Sequence, residues 1–143
     1  WPTARLAGNV EEVSKADWTL RVESVGCHSM RVGVMQTANT SARTGENWYS
    51  DSNVNSVWYI GGGLFTGNRK AKSSLTSATR SLLAAGDVVG VHLRGLALAF
   101  SKNGQVIPGT LKRSGAVQLA VQFCSPGDKV VLLPTNSKVD VRI

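Results

Sequence analysis

The chain is poor in the residues that build metal centres and disulfide frameworks. Its 143 residues include two cysteines, Cys27 and Cys124, and two histidines, His28 and His92. Neither histidine belongs to a ligand pattern such as a paired Cys-x-x-Cys, so we expect no metal site. Both cysteines adjoin apolar runs, which is typical of free buried thiols, and a single bridge between them is the alternative. Free thiols predict an intracellular, cytoplasmic protein.

Long apolar runs are also missing. None approaches the roughly 18 residues that cross a membrane, and no charged segment precedes an apolar run near Trp1. We therefore expect no membrane association and no signal peptide in this sequence. Apolar residues make up 42% and charged residues 17%, which is typical of a folded domain. We predict a single domain over residues 1–143, and because it begins with Trp1 and not Met, an excerpt of a longer chain.

The groups that enzymes require are scarce. Only nine residues are acidic, no Gly-x-Ser-x-Gly motif occurs, and His92 lies alone between two apolar residues. The glycines at 61–63 precede Gly67 and basic residues, but the Gly-Lys-Ser/Thr ending of a phosphate loop is missing. We therefore predict a protein that is not an enzyme and that uses no small-molecule cofactor.

Basic residues outnumber acidic ones, and the formal net charge is +7. A surface with this charge attracts acidic partners over long distances. We expect a protein or peptide segment of acidic character as the partner, and RNA is the alternative. An ordinary solvated basic surface would give the same composition.

Alternating apolar and polar residues dominate the chain. In residues 117–123, Val117, Leu119, Val121 and Phe123 would share one face of a strand, and residues 18–25, 30–35 and 96–100 follow the same period. Asn103 and Gly104 suit a tight type I′ hairpin turn, and Gly90 within an apolar strand predicts a bulge or close packing. Many short strands joined by such turns predict an antiparallel sandwich.

The stretch GDVVGVHLRGLALAFSKNGQ, residues 86–105, resembles the central signature of SPRY domains. Three further blocks follow in the order of that family: DWTLRVESV with MRVGVM, then SVWYIGGG, then AVQLAVQFCSPGDKVVLLP. The resemblance covers most of the chain. It implies an all-β fold, a two-layer antiparallel β-sandwich of the concanavalin-like jelly-roll kind. It also implies a non-catalytic protein–protein interaction module, a scaffold or adaptor within a larger protein or complex, whose loops at one edge bind a partner segment.

Two polar connections carry the candidate contact residues. Trp48 and Tyr49 interrupt a Ser/Thr/Asn-rich stretch near Arg43, and Arg69, Lys70 and Lys72 follow on a second connection. Exposed aromatic residues beside arginine are typical of binding hot spots. We predict these six residues as the partner-binding site, with a Trp48 that tucks under its loop as the alternative.

Two other functions use different residues. RNA association would use cations in loops and at strand ends: Arg69, Lys70, Lys72, Lys102, Lys112 and Arg113. A lectin-like carbohydrate site would use Trp48 as a stacking surface, but this hypothesis has fold analogy as its only support.

Overall fold

The computed structural model describes residues 3–5, 15–26, 30–38, 47–50, 53, 54, 56–61, 63–71 and 83–134, with residues 3–5 described as backbone alone. These residues form twelve strands: β1 (Thr3–Arg5), β2 (Lys15–Ser24), β3 (Arg31–Gln36), β4 (Val57–Ile60), β5 (Leu64–Thr66), β6 (Arg69–Lys70), β7 (Val88–Arg94), β8 (Ala97–Lys102), β9 (Gln105–Val106), β10 (Leu111–Lys112), β11 (Val117–Gln122) and β12 (Lys129–Leu133).

The strands build two antiparallel sheets. The first sheet has the order β1-β11-β3-β4-β5-β6, and the second has the order β10-β8-β7-β2-β12, with β9 paired to β8. The predicted all-β sandwich is therefore confirmed. At one side of the sandwich, β6 ends the first sheet and β10 ends the second. Both are only two residues long, and their positions determine the geometry of the site below.

The main core lies between the two sheets and follows the predicted alternation. Phe100 and Val91 of the second sheet are fully buried there, together with Val34 and Trp58 of the first. The alternation in residues 96–100 predicts that Leu96, Leu98 and Phe100 share one face, and the structure buries Leu98 and Phe100 of that face in the core, whereas Leu96 is exposed. A second, smaller cluster covers the outer face of the first sheet and consists of Met35, Trp48, Val57, Tyr59 and Ala120.

The turn that joins β8 to β9 has the predicted geometry. Asn103 and Gly104 both have positive φ, 52° and 83°, as a type I′ turn requires. The Asn103 side chain donates to Asp87 Oδ1 at 3.1 Å and accepts from the Val88 backbone N–H at 2.9 Å. Asp87 Oδ2 accepts from the Ala84 backbone N–H at 2.8 Å. Asp87 therefore has the structural role that its position after a glycine indicates.

The thiol chemistry differs from the expectation. Cys124 is disulfide-bonded, so the prediction of a free thiol there is wrong. Cys27 is the only other cysteine of the chain and lies outside the described residues. Next to the bridge, the Asp128 carboxylate accepts from the backbone N–H groups of Gly26 at 2.8 Å and Cys124 at 2.9 Å. Disulfides persist in oxidising compartments, so the cytoplasmic location stays a prediction without support from this cysteine.

Within the described ranges, no helix has the length and apolar character needed to cross a bilayer.

Candidate binding site

Trp48 is fully buried on the outer face of the first sheet. Its ring lies 5.5 Å from that of Tyr59 between centroids and packs within the outer cluster. The indole Nε1 has no hydrogen-bond partner in the part of the chain that the structure describes. Trp48 therefore anchors its segment, which is the alternative that the sequence left open, and it offers no surface to a partner. Its proposed contact role is corrected accordingly.

Polar side chains hold the backbone around Trp48. Gln122 Oε1 accepts from the Trp48 backbone N–H at 3.1 Å and from Arg31 Nη1 at 2.8 Å. Asn47 Oδ1 accepts from the Tyr49 backbone N–H at 2.9 Å, and Asn53 Nδ2 donates to the Asn47 carbonyl at 3.2 Å. These bonds join the connection to β3 and β11, so Tyr49 is presented on a fixed backbone.

Tyr49 and Lys70 meet at Phe65. Tyr49 is 52% exposed, and its ring stands edge-on to Phe65 at 5.8 Å between centroids. The Lys70 ammonium lies 5.7 Å from the centroid of the same Phe65 ring. The structure therefore brings together one predicted residue from each of the two polar connections. Arg43 and Lys72, predicted beside them, lie outside the described residues.

The β5–β6 hairpin is docked against the connection that carries Tyr49. Gly67 has a φ of 57°, and a Cβ there would lie 2.6 Å from the Val54 backbone nitrogen, so only glycine fits this approach. The Tyr59 hydroxyl donates to the Gly67 carbonyl at 2.7 Å. Burial raises the pKa of Tyr59, and the phenol therefore remains a donor.

Arg69 faces the opposite way from Lys70. Lys70 pairs with Phe65 on the outer face, whereas Arg69 pairs with Thr66, whose other neighbour is Trp58. Adjacent residues of a strand point to opposite faces, so the two side chains leave β6 in opposite directions, although both residues border the cavity described next. Arg69 therefore lies on the side of the sheet that faces the sandwich interior.

A cavity of about 400 Å³ opens between β6 and β10, at the side of the sandwich where both sheets end. We call it the basic cleft. Trp58 and Leu111 form its apolar floor. Its polar lining consists of Thr66, Arg69, Lys70, Lys112, Arg113 and Ser114. No carboxylate occurs among the described lining residues.

The cations of the basic cleft have no acidic partner among the described residues. The four described carboxylate side chains are engaged elsewhere: Asp17 with Arg94 and His92, Glu23 with Arg21, Asp87 with Lys102, and Asp128 with backbone amides. Arg69, Lys70 and Lys112 are exposed and belong to no ion pair within the described ranges. Four positive charges therefore border one cavity with no carboxylate of the described residues beside them, which favours an anionic ligand.

Arg113 differs from the other three cations because its guanidinium is fixed. Only 6% of the residue is exposed, and the guanidinium donates to the Gly95 carbonyl at 2.8 Å and to the Gly115 carbonyl at 2.8 Å. Backbone carbonyls satisfy the hydrogen-bond donors of the guanidinium but leave its charge in place. Arg113 therefore contributes a positive potential at the wall of the basic cleft.

A second cavity, of about 350 Å³, lies beyond β10. Leu96, Ala97 and Thr110 line it, and it shares Leu111 and Lys112 with the basic cleft. Leu96 is 51% exposed at the tip of the β7–β8 hairpin. We call this the Leu96 cavity. The two cavities are therefore neighbours on either side of one edge strand, one basic and the other largely apolar.

A chain of hydrogen bonds on the outer face of the second sheet has the composition of a catalytic triad. His92 Nδ1 lies 2.7 Å from Asp17 Oδ1, and His92 Nε2 lies 2.9 Å from Ser101 Oγ. His92 is 4% and Ser101 3% exposed, and neither lines either cavity described above. A Cβ at Gly90 would lie 2.2 Å from Ser101 Oγ, so the glycine leaves room for these contacts. Both ring nitrogens of His92 therefore have a partner, and the side chain is buried.

The sequence identified the cations of the basic cleft only in part. Arg69 and Lys70 were predicted as contacts, whereas Lys112 and Arg113 entered only the RNA hypothesis. β10 is too short to show an alternating pattern, so nothing in the sequence placed it beside β6. The apolar run Val57–Ile60 could have indicated the burial of Trp48, because a strand without polar residues is covered on both faces.

The comparisons with known proteins agree with this fold. No protein-family model and no curated protein matches the chain. Among solved structures, the SPRY domain of human HERC1 has a TM-score of 0.68 at 19% sequence identity, over 91% of this chain and 80% of that one. Another human SPRY domain has a TM-score of 0.64 at 17% identity, over 91% of this chain and 82% of that one. The protein therefore has a SPRY-like fold, as the sequence blocks predicted.

Proposed function

We propose that this domain is a protein-interaction module that binds an acidic segment of a partner protein in the basic cleft. The proposal depends mainly on one observation: Arg69, Lys70 and Lys112 border a cavity and are paired with no described carboxylate. A partner that supplies carboxylates would form ion pairs with these cations, for which the described residues offer none.

The shape and location of the cleft also support a peptide ligand. The floor of Trp58 and Leu111 would contact aliphatic parts of a bound segment, while the cations at the rim would bind its carboxylates. Recognition sites are commonly formed by loops and edges on a rigid scaffold, and both sheets end here. Tyr49 and Lys70 lie on the adjacent outer face and would extend the contact surface around β6.

A matched pair of variants tests the proposal. In the cleft variant, Arg69→Ala is combined with Lys112→Ala. In the control, Lys15→Ala is combined with Lys129→Ala, which removes the same charge from exposed positions outside the cleft. The affinity of each for a fluorescent oligoglutamate peptide is measured by anisotropy at low and at high ionic strength. We expect the cleft variant to bind about tenfold more weakly and the control to bind nearly normally.

The same titrations distinguish the alternatives. If both variants lose affinity equally, the peptide responds to net charge alone, and the cleft is not its site. If single-stranded oligouridylate binds to the domain and oligoglutamate does not, RNA association replaces the proposal. A glycan array tests the lectin-like hypothesis, which has no support from Trp48 now that this residue is buried.

A further inference from the structure

The edge strand β10 presents backbone groups between the two cavities that no described residue pairs with. Leu111 and Lys112 pair with Leu98 and Ala97 of β8, and no described strand pairs with the opposite edge of β10. The Arg113 backbone N–H donates to the Leu96 carbonyl at 2.8 Å. Hydrogen-bonded and non-bonded positions alternate in an antiparallel pair, so Lys112 occupies a non-bonded position. Its backbone N–H and C=O therefore point away from β8, toward the open edge.

The two sides of this edge differ in chemistry. Leu111 and Arg113 are buried on one face of β10, whereas Thr110 and Lys112 alternate with them on its exposed face. Arg113 lines the basic cleft alone and Thr110 the Leu96 cavity alone, while Leu111 and Lys112, at the edge itself, line both. A strand added beside β10 would point its side chains alternately to these same two sides. Every second residue would meet the cations of the cleft, and the residues between would meet Leu96 and Ala97.

We propose that the partner segment binds as an added antiparallel or parallel strand at β10, with its backbone bonded to Lys112. Acidic side chains of the segment enter the basic cleft, and apolar side chains alternate with them over the Leu96 cavity. The recognised sequence is therefore an alternation of acidic and apolar residues. This inference depends on the proposed function of the cleft and adds the conformation and residue order of the ligand.

The charge at the edge selects against the other available strand, a second copy of this chain. Lysine residues on an exposed edge oppose pairing between identical edges, because like charges would face one another. Arg69 and Lys112 both lie at this opening. An acidic strand is attracted to this edge instead, because its carboxylates neutralise the same cations. The edge therefore favours an acidic partner strand over self-association.

Two peptides of identical composition test the residue order. One alternates glutamate and leucine, and the other contains the same residues in two separate blocks. The alternating peptide is expected to bind to the domain about tenfold more tightly, because only this order gives each cavity its matching side chains. Methylation of its central backbone nitrogens is expected to abolish that advantage by removing the donors needed for strand pairing.

Two variants of the domain test the same backbone contact. Lys112→Ala removes the charge alone, whereas Lys112→Pro also removes the backbone N–H at an edge position where proline is tolerated. We expect Lys112→Pro to bind the alternating peptide about tenfold more weakly than Lys112→Ala, while both remain folded by circular dichroism. If Lys112→Pro unfolds the domain, the methylated peptide still decides the question.

The outcomes separate the two proposals. Equal affinity for alternating, block and N-methylated peptides would overturn strand addition while leaving the acidic ligand of the cleft intact. Failure of all three peptides and of oligoglutamate to bind would overturn the proposed function itself.

Discussion

At the residue scale, Trp48 shows how burial determines what an aromatic side chain does. Its neighbours in the sequence are polar, which favours an exposed contact residue. Its ring nevertheless packs on Tyr59, and the outer cluster around it is closed from solvent. The side chain that remains on the surface is its neighbour Tyr49. Trp48 is consequently a determinant of stability. It would affect binding only indirectly, by holding Tyr49 in position.

Replacement of Trp48 is expected to change stability. Trp48→Ala should lower the free energy of unfolding by about 3–5 kcal/mol, because a large buried side chain is removed. Trp48→Phe should cost less than about 1.5 kcal/mol, because it keeps an aromatic ring and deletes an indole nitrogen that lacks a described partner. Urea denaturation measures both.

The exposed neighbour serves as the control. Tyr49→Ala should change stability by less than about 1 kcal/mol, since half of the side chain already faces solvent. Equal losses for Trp48→Ala and Tyr49→Ala would show that Trp48 is not the anchor of this segment.

At the scale of elements, Asp87 joins the start of β7 to the β8–β9 turn. Burial by itself raises the pKa of this carboxyl group, but the Asn103 amide, the Ala84 backbone N–H and the Lys102 ammonium outweigh that effect. The pKa of Asp87 is therefore lower in the folded protein than in the unfolded chain. A carboxylate with this shift contributes stability above its unfolded pKa of about 4, and the contribution is lost as the pH falls through the folded pKa.

Asp87→Asn should accordingly destabilise the domain at neutral pH and much less in acid. We expect the difference in unfolding free energy between the two proteins to narrow as the pH falls below about 4, because wild-type Asp87 then becomes protonated. Urea denaturation across this range measures the effect. Glu23→Gln is the control, since the Arg21–Glu23 pair is largely exposed and contributes little. A difference that does not vary with pH would contradict the role given to the Asp87 charge.

The elements differ in how well the sequence predicts them. Val117–Gln122 and Ala97–Lys102 are strands because apolar residues alternate along them, and Asn103 with Gly104 encodes the turn that follows. β6 and β10 have two residues each, too few for any period to be visible. Their pairing depends on the hairpins around them, so the cleft between them could not be predicted from local pattern.

At the scale of the whole molecule, some of the described cations are paired with carboxylates and others are not. The net charge of +7 predicts an acidic partner but no location for it. The fold provides a candidate location, because both sheets end at the same side of the sandwich. There Arg69 of β6 and Lys112 of β10 border one cavity. Residues far apart in the sequence meet there only through the order of strands in the two sheets. This arrangement is a property of the fold and not of any motif.

Nuclear magnetic resonance with the ¹⁵N-labelled domain tests the basic cleft most directly as the site of an acidic ligand. On titration with the oligoglutamate peptide, we expect the largest shifts at the backbone amides of Thr66, Arg69, Lys112 and Ser114, which surround the cleft. The amides of Lys15 and Lys129, exposed cations outside it, should move little. Shifts spread evenly over all exposed cations, or confined to residues away from the cleft, would contradict the account.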